Sequence, residues 1–102
     1  GNLEINYLTT TLYMKANVRH LQGDLEAATE LFNEVLTIRI QSHGEDHFDV
    51  VSSYNGIAEL LRDQDKLDDG IQIIDKSIEI SNRLQRLGDF DMRHLAAALY
   101  IK

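Results

Sequence analysis

The sequence contains no cysteine and no proline, and only 6 of its 102 residues are glycine. Without cysteine the chain can form neither a disulfide nor a cysteine-ligated zinc site, and it has no thiol nucleophile. Proline and glycine are the residues that most often interrupt helices, so their scarcity favours long helices. These absences favour long helices and exclude disulfide cross-links.

Basic runs and long apolar runs are absent as well. Acidic residues outnumber basic ones by 17 to 10, giving a formal charge of −7, and the basic residues are scattered. Such a balance argues against nucleic-acid binding, which requires a basic patch. No apolar stretch approaches the ~18 residues of a membrane span, and no signal-like segment is present. We therefore expect neither a nucleic acid nor a membrane as partner, and a cytoplasmic location with the nucleus as the alternative.

Apolar residues recur with the period of an α-helix through most of the chain. Beyond residue 66 they form two stripes, one of Leu67, Ile71, Ile74 and Ile78 and the other of Ile73, Ile80, Leu84 and Leu87. Two adjacent stripes predict a helix that is buried on two sides, as in a stack of helices.

Short segments with glycine or polar residues separate these helical patterns. They are Gly23-Asp24, residues 42–46, residues 63–65 and Leu87-Gly88-Asp89. Glycine permits a left-handed exit from a helix, and aspartate accepts hydrogen bonds from free amides at the start of the next. The pattern predicts roughly five antiparallel helices, near residues 4–21, 25–42, 47–62, 67–87 and 90–101.

The chain also repeats itself after 42 residues. At this offset Ala16 matches Ala58, Leu25 matches Leu67, and Phe48-Asp49-Val50 matches Phe90-Asp91-Met92. Matches on apolar and capping positions are expected when each unit presents the same face to its neighbour. The sequence predicts a single domain with three units: repeat one, about 4–45; repeat two, about 46–88; and the first helix of a third repeat or a cap, about 89–102.

These units resemble tetratricopeptide repeats, in the long-period form found in kinesin light chains. The resemblance rests on the Ala28-x3-Phe32 pair, on Tyr54, Ile57-Ala58 and Leu61, and on the junction from Gly44 to Val50. Gly70 and Ser77 depart from the pattern, because alanine is usual at both positions. The resemblance implies an all-α, right-handed superhelix of about two and a half helical hairpins. It also implies a non-catalytic scaffold that binds a peptide or helix of another protein in a concave groove.

The family pattern implies that the first helix of each hairpin lines this groove. Carried over position by position, it places Tyr13, Asn17 and His20 there in the first hairpin, and Asn55, Glu59 and Arg62 in the second. The Asn55 amide could bond both polar groups of a peptide unit, and Arg62 or His20 could anchor an acidic group. Each could equally be ordinary surface polarity, with Glu59 and Arg62 forming a local ion pair.

One turn carries a dense set of side chains that could bind a metal: His43, Glu45, Asp46, His47 and Asp49. Zinc requires three or four such groups in tetrahedral geometry, whereas helix capping already explains this composition. The chain has no serine–histidine–acid set, no glycine-rich phosphate loop and no His-Glu-x-x-His motif. We therefore predict no enzymatic activity, no metal and no cofactor.

Self-association is the competing hypothesis for function. Repeat arrays require polar caps at their ends, whereas Leu95, Leu99 and Ile101 would form an uncovered apolar face. Such a face could pair with another copy and give a homo-oligomer. A regulatory repeat domain within a larger signalling protein is a third hypothesis, and the sequence leaves all three open.

Overall fold

The computed structural model describes the backbone of residues 2–100 and the side chains of residues 3–88. This part of the chain contains four α-helices: α1, Asn2–Leu21; α2, Leu25–His43; α3, Phe48–Asp63; and α4, Leu67–Tyr100. They pack in chain order, α1 on α2, α2 on α3 and α3 on α4. The all-α array of helical hairpins confirms the predicted fold class. Over the described residues, no helix combines the length and the apolarity needed to cross a membrane.

The turns within the two hairpins have the same conformation at equivalent positions. Gly23 has a φ of 81°, and Asp65, 42 residues later, has a φ of 62°. After the first turn, the Asp24 carboxylate caps α2 by accepting a hydrogen bond from the Ala27 amide at 3.2 Å. The helix breaks predicted at residues 23–24, 42–46 and 63–65 are therefore confirmed.

The turn between the hairpins is held against α4 by ion pairs. Glu45 pairs with Lys76 at 3.0 Å, and Asp46 pairs with Arg83 at 2.7 Å. The Arg83 guanidinium donates to both oxygens of Asp46, through Nε at 3.0 and 3.1 Å and through Nη2 at 2.7 Å. These hydrogen bonds lower the pKa of the Asp46 carboxyl.

Among the side chains of residues 3–88, two buried clusters form the core. The first contains Ala16, Ala28, Phe32 and Leu60, and the second contains Val50, Tyr54 and Ile80. Leu60 belongs to α3, yet it lies in the cluster that α1 and α2 otherwise supply. The two hairpins therefore share a core.

The break predicted at Leu87-Gly88-Asp89 is wrong, because the backbone stays helical through these residues to Tyr100. Gly88 does not adopt the positive φ found at Gly23 and Gly44. A glycine inside a helix costs only about 1 kcal/mol relative to alanine, so it does not end a helix by itself. The helix predicted near 90–101 is, as far as Tyr100, the last part of α4. The side chains of Leu95, Leu99 and Ile101 lie outside the described residues, and the division into repeats stays a prediction.

Candidate functional site

A groove of about 510 Å³ opens between α3 and α4. We call it the α3–α4 groove. It is lined by Asn55, Ala58, Glu59 and Arg62 of α3 and by Leu67, Gly70, Ile71 and Ile74 of α4. The three site residues predicted in the second hairpin therefore lie together in one groove, on one side of α3.

The wall that α4 contributes is apolar and open to solvent. Leu67, Ile71 and Ile74 are 54%, 57% and 45% exposed, and Ile78 continues the same stripe. Periodicity predicted this stripe as one of two buried faces of the helix. The other predicted face is buried at Ile80, with Ile73 and Leu84 packed around it, but the prediction is wrong at Leu87, which is 57% exposed. From residue 67 to residue 84, α4 is therefore covered on one side only.

The rim that α3 contributes is polar and carries both signs of charge. Asn55, Glu59 and Arg62 are all exposed and are spaced four and three residues apart, which places them on one face of the helix. Arg62 donates from Nε to the neighbouring Asp63 at 3.1 Å rather than pairing with Glu59 as the spacing predicted. A partner could therefore meet an amide, a carboxylate and a guanidinium along the rim.

His20, predicted as a groove residue of the first hairpin, instead links α1 to the end of α3. Its Nε2 lies 2.5 Å from Oδ2 of Asp63, while Oδ1 of the same carboxylate accepts from Arg62. The hydrogen bond from His20, and then the one from Arg62, lower the pKa of the Asp63 carboxyl. His20 is therefore occupied by a contact between the hairpins.

Tyr13 is also engaged within the fold. Its ring meets Phe32 edge-on with centroids 5.4 Å apart, and its hydroxyl donates to the Ser52 carbonyl at 3.4 Å. The guanidinium of the buried Arg39 lies 5.1 Å from the centre of the same ring. Asn17 is half-buried on the same helix. Tyr13 and His20 thus face α3, whereas the predicted residues of the second hairpin face the open groove.

The structure brings together three of the five side chains considered for a metal. Potential ligand atoms of His43, His47 and Asp49 all lie within 4.8 Å of one another. The two imidazole rings are stacked, 4.1 Å apart and 14° from parallel. Stacked rings direct their in-plane lone pairs side by side rather than toward one point. Nδ1 of His47 also accepts the Asp49 amide at 3.0 Å and so caps α3, which is the role that the sequence predicts for this turn.

The α4 residues of the groove were missed as site residues by sequence reasoning. Leu67, Ile71 and Ile74 look like core residues, because an apolar stripe at helical spacing is usually buried. The 42-residue repeat in the sequence could have indicated that these residues form a surface between hairpins. It equates Ile74 with Phe32, so the stripe belongs to a face that one hairpin covers with the next.

A stack of helical hairpins with an open groove at one end defines an all-α repeat protein. The family model described as tetratricopeptide repeat matches residues 7–83. The chain therefore belongs to the tetratricopeptide repeat family, whose members are generally protein–protein interaction modules. No curated protein and no solved structure matches the chain. The likeness to kinesin light chains stays a prediction.

Proposed function

We propose that this chain is a binding scaffold that holds a peptide or helix of another protein in the α3–α4 groove. The observation that carries the proposal is the exposed apolar wall of Leu67, Ile71 and Ile74. Contiguous exposed apolar side chains with a polar rim are characteristic of interaction sites. The non-catalytic role and the cytoplasmic location remain predictions that accompany this proposal.

The shape and chemistry of the groove favour an amphipathic helix as ligand. Its apolar wall runs along α4 for more than two helical turns, from Leu67 to Ile78. A helix that presents apolar residues at i, i+3 or i+4 and i+7 could bury this wall. Asn55, Glu59 and Arg62 would then meet the polar edge of the ligand. With so few contacts, the expected affinity is micromolar, about −8 kcal/mol.

A displayed-peptide selection tests this proposal directly. We expect the unmodified protein to select peptides with a helical apolar pattern. Ile71→Asp should abolish their binding, because it places a carboxylate in the apolar wall. The double variant Asn55→Ala with Arg62→Ala should weaken binding by removing the polar contacts.

Val18→Asp is the matched control, because Val18 lies on α1 and is 53% exposed, close to the 57% of Ile71. It should bind the selected peptides as the unmodified protein does. If no peptide is enriched, or if Ile71→Asp binds as well as Val18→Asp, the α3–α4 groove is not the binding site.

A further inference from the structure

The outer side of α1 carries a row of exposed apolar side chains. Tyr7, Met14, Val18 and Leu21 are all more than half exposed, and at 3.6 residues per turn they lie within about 60° of one another around the helix. We call them the α1 stripe. Ala16, which is buried together with residues of α2, lies on the opposite side of α1. The stripe is therefore available to a partner.

The 42-residue offset relates the α1 stripe to the side of α3 that covers the first hairpin. Met14 corresponds to Gly56, where an added Cβ would lie only 2.7 Å from the ring of Phe32. Val18 corresponds to Leu60, which is buried in the cluster that α1 and α2 otherwise supply. The stripe therefore occupies, on α1, the positions through which α3 contacts the hairpin before it.

The α3–α4 groove corresponds to the other half of the same contact. The buried cluster of the first hairpin combines one residue of the covering helix, Leu60, with three of the hairpin itself: Ala16, Ala28 and Phe32. Forty-two residues later these three become Ala58, Gly70 and Ile74, all of which line the groove. Among the described side chains, none supplies the fourth member. The groove is thus a cluster that lacks the residue of its covering helix.

We propose that the α3–α4 groove of one copy of this chain receives the α1 stripe of a second copy, so that copies associate head to tail. This inference rests on the proposed function, because it names the helix that the groove binds. Val18 takes the place of the missing cluster member, and Met14 packs on Ile74. Met14, Val18 and Leu21 have the i, i+4, i+7 spacing that suits the groove. The contact repeats an interface that the molecule already contains.

The sizes of the facing residues support this pairing. In the first hairpin a large wall residue, Phe32, lies against a glycine of the covering helix, Gly56. In the proposed contact the wall residue is the smaller Ile74, and the incoming residue is the larger Met14. Close packing requires such compensation, and the flexible side chain of methionine adapts readily to an irregular gap.

The positions of the two surfaces select a second copy rather than the same chain. Within the part of the chain that the structure describes, α1 and α4 make no contact, because α2 and α3 lie between them. The backbone of α4 stays helical to Tyr100 and so does not return to the groove. The groove and the stripe therefore lie at opposite ends of the array. Joining them leaves a free groove and a free stripe at the two ends of the pair, so further copies can add.

The polar edge of the proposed contact differs from that of the internal one. His20 bonds to the carboxylate of Asp63 where α3 covers the first hairpin. At the 42-residue offset, Arg62 takes the place of His20 and Leu21 takes the place of Asp63. This polar contact is therefore not repeated between copies. We expect a reversible association that appears in concentrated solution.

Complementation between two variants tests the head-to-tail arrangement. In sedimentation equilibrium the mass of the unmodified protein should rise with concentration past twice the 11.6 kDa of the chain. Ile71→Asp damages every groove and Val18→Asp damages every stripe, so each should weaken association by roughly 100-fold by placing a carboxylate in an apolar contact. An equal mixture contains intact stripes on one variant and intact grooves on the other. It should form dimers and nothing larger. A mixture that stays as monomeric as its components would overturn the proposal.

Cross-linking tests which residues meet, since the natural chain has no cysteine. Met14→Cys is mixed with a tagged Ile74→Cys at a concentration where the unmodified protein associates, and a short bis-maleimide is added. We expect a cross-linked product that contains one copy of each variant. Lys15→Cys is the matched control, because Lys15 is exposed and lies next to Met14 but about 100° around the helix. An equal yield with Lys15→Cys would contradict the proposed contact, as would efficient cross-linking of Ile74→Cys with itself.

The results also separate this inference from the proposed function. Val18→Asp leaves the groove of its own copy intact, so it should lose assembly and keep peptide binding, whereas Ile71→Asp should lose both. A strict monomer up to about 1 mM would exclude a second copy as occupant. If selected peptides still bound to that monomer and lost binding with Ile71→Asp, the groove would remain a site for another protein. If both association and peptide binding failed, the proposed function would fall together with the inference.

Discussion

At the scale of single residues, Gly56 and Gly70 show how the same substitution can have opposite effects. A Cβ at Gly56 would lie 2.7 Å from the ring of Phe32, which is fully buried. A Cβ at Gly70 would meet only ordinary contacts, at 3.7 Å from Leu61 and 3.8 Å from Ala58. We expect Gly56→Ala to destabilise the fold by about 1–2 kcal/mol through overpacking. Gly70→Ala should stabilise it by about 0.5–1 kcal/mol, because alanine favours the helix.

Urea unfolding followed by circular dichroism measures both effects, and each variant is the control for the other. Equal shifts of the same sign would contradict the prediction, since they would mean that Phe32 does not constrain Gly56. A rescue by Phe32→Leu in the Gly56→Ala background would identify the ring as the cause.

The Asp63 carboxylate provides a prediction about pH. Its folded-state pKa is lowered, first by the hydrogen bond from His20 and then by the one from Arg62. A lowered pKa contributes stability above the unfolded-state pKa of about 4, and that stability is lost as pH falls through the folded value. The unmodified protein should therefore be more stable than Asp63→Asn at neutral pH. The difference should shrink below about pH 4.

Urea midpoints measured from pH 7 to pH 2.5 test this, with the exposed Asp75→Asn as control. The side chain of Asp63 is 41% exposed, so added salt should reduce the difference at neutral pH as well. If the difference in stability between the unmodified protein and Asp63→Asn did not change with pH, the charge of the Asp63 carboxylate would not contribute to the stability of the fold.

The role of a residue could be predicted from the sequence where that role depends only on its neighbours along the chain. Asp24 caps α2 as expected, because capping depends on the few residues that follow. Tyr13 and His20 were expected in an open groove, yet they contact α3, about 40 residues away in sequence. Such contacts depend on how one hairpin sits on the next. A helix-surface position alone does not contain that information.

At the scale of elements, the turn of the second hairpin carries a strained residue. Asp65 has a φ of 62°, whereas the equivalent position in the first hairpin is Gly23 with a φ of 81°. Positive φ costs roughly 1 kcal/mol for a residue with a Cβ, and aspartate tolerates it only partly. We expect Asp65→Gly to leave stability unchanged or raise it by up to about 0.5 kcal/mol. Gly23→Ala should lower it by about 1 kcal/mol, although nothing lies within 4 Å of the added Cβ.

Thermal unfolding of the two variants measures the difference between the turns. Gln22→Ala, which changes an exposed residue beside Gly23 without changing a positive φ, is a suitable control. A stabilising Gly23→Ala would show that the first turn does not need its left-handed conformation.

The helices themselves were largely predictable, because periodicity and turn chemistry agree along the chain. At three of the predicted breaks a second feature supports the end of the helix. The first break has the Asp24 cap, the second has a turn held by the ion pair of Glu45, and the third has the positive φ of Asp65. The break at Gly88-Asp89 rested on one glycine and one aspartate, and the helix continues through both. The free-energy cost of a glycine within a helix is too small to end the helix by itself.

At the scale of the whole molecule, the repeat explains both what was predicted and what was missed. The 42-residue offset predicted helical hairpins in series, and the structure contains the hairpins α1–α2 and α3–α4. The periodicity of apolar residues also predicted two apolar faces on α4. It does not indicate which of the two faces is covered by a neighbouring helix. The exposed face from Leu67 to Ile78 is therefore a property of how hairpins stack, rather than of α4 alone.

The shared core leads to a last prediction, about cooperativity. Leu60 is 1% exposed and joins α3 to the cluster formed by α1 and α2. Leu60→Ala should cost about 3 kcal/mol, a large part of the roughly 5–15 kcal/mol that stabilises a domain of this size. Because Leu60 packs in a core that both hairpins share, its loss should accelerate the hydrogen exchange of backbone amides to a similar extent in α2 and α4. Leu21→Ala, at a position 88% exposed, should change exchange in neither helix. If α4 kept its protection in Leu60→Ala while α2 lost it, the hairpins would unfold independently and the core would not be shared in energetic terms.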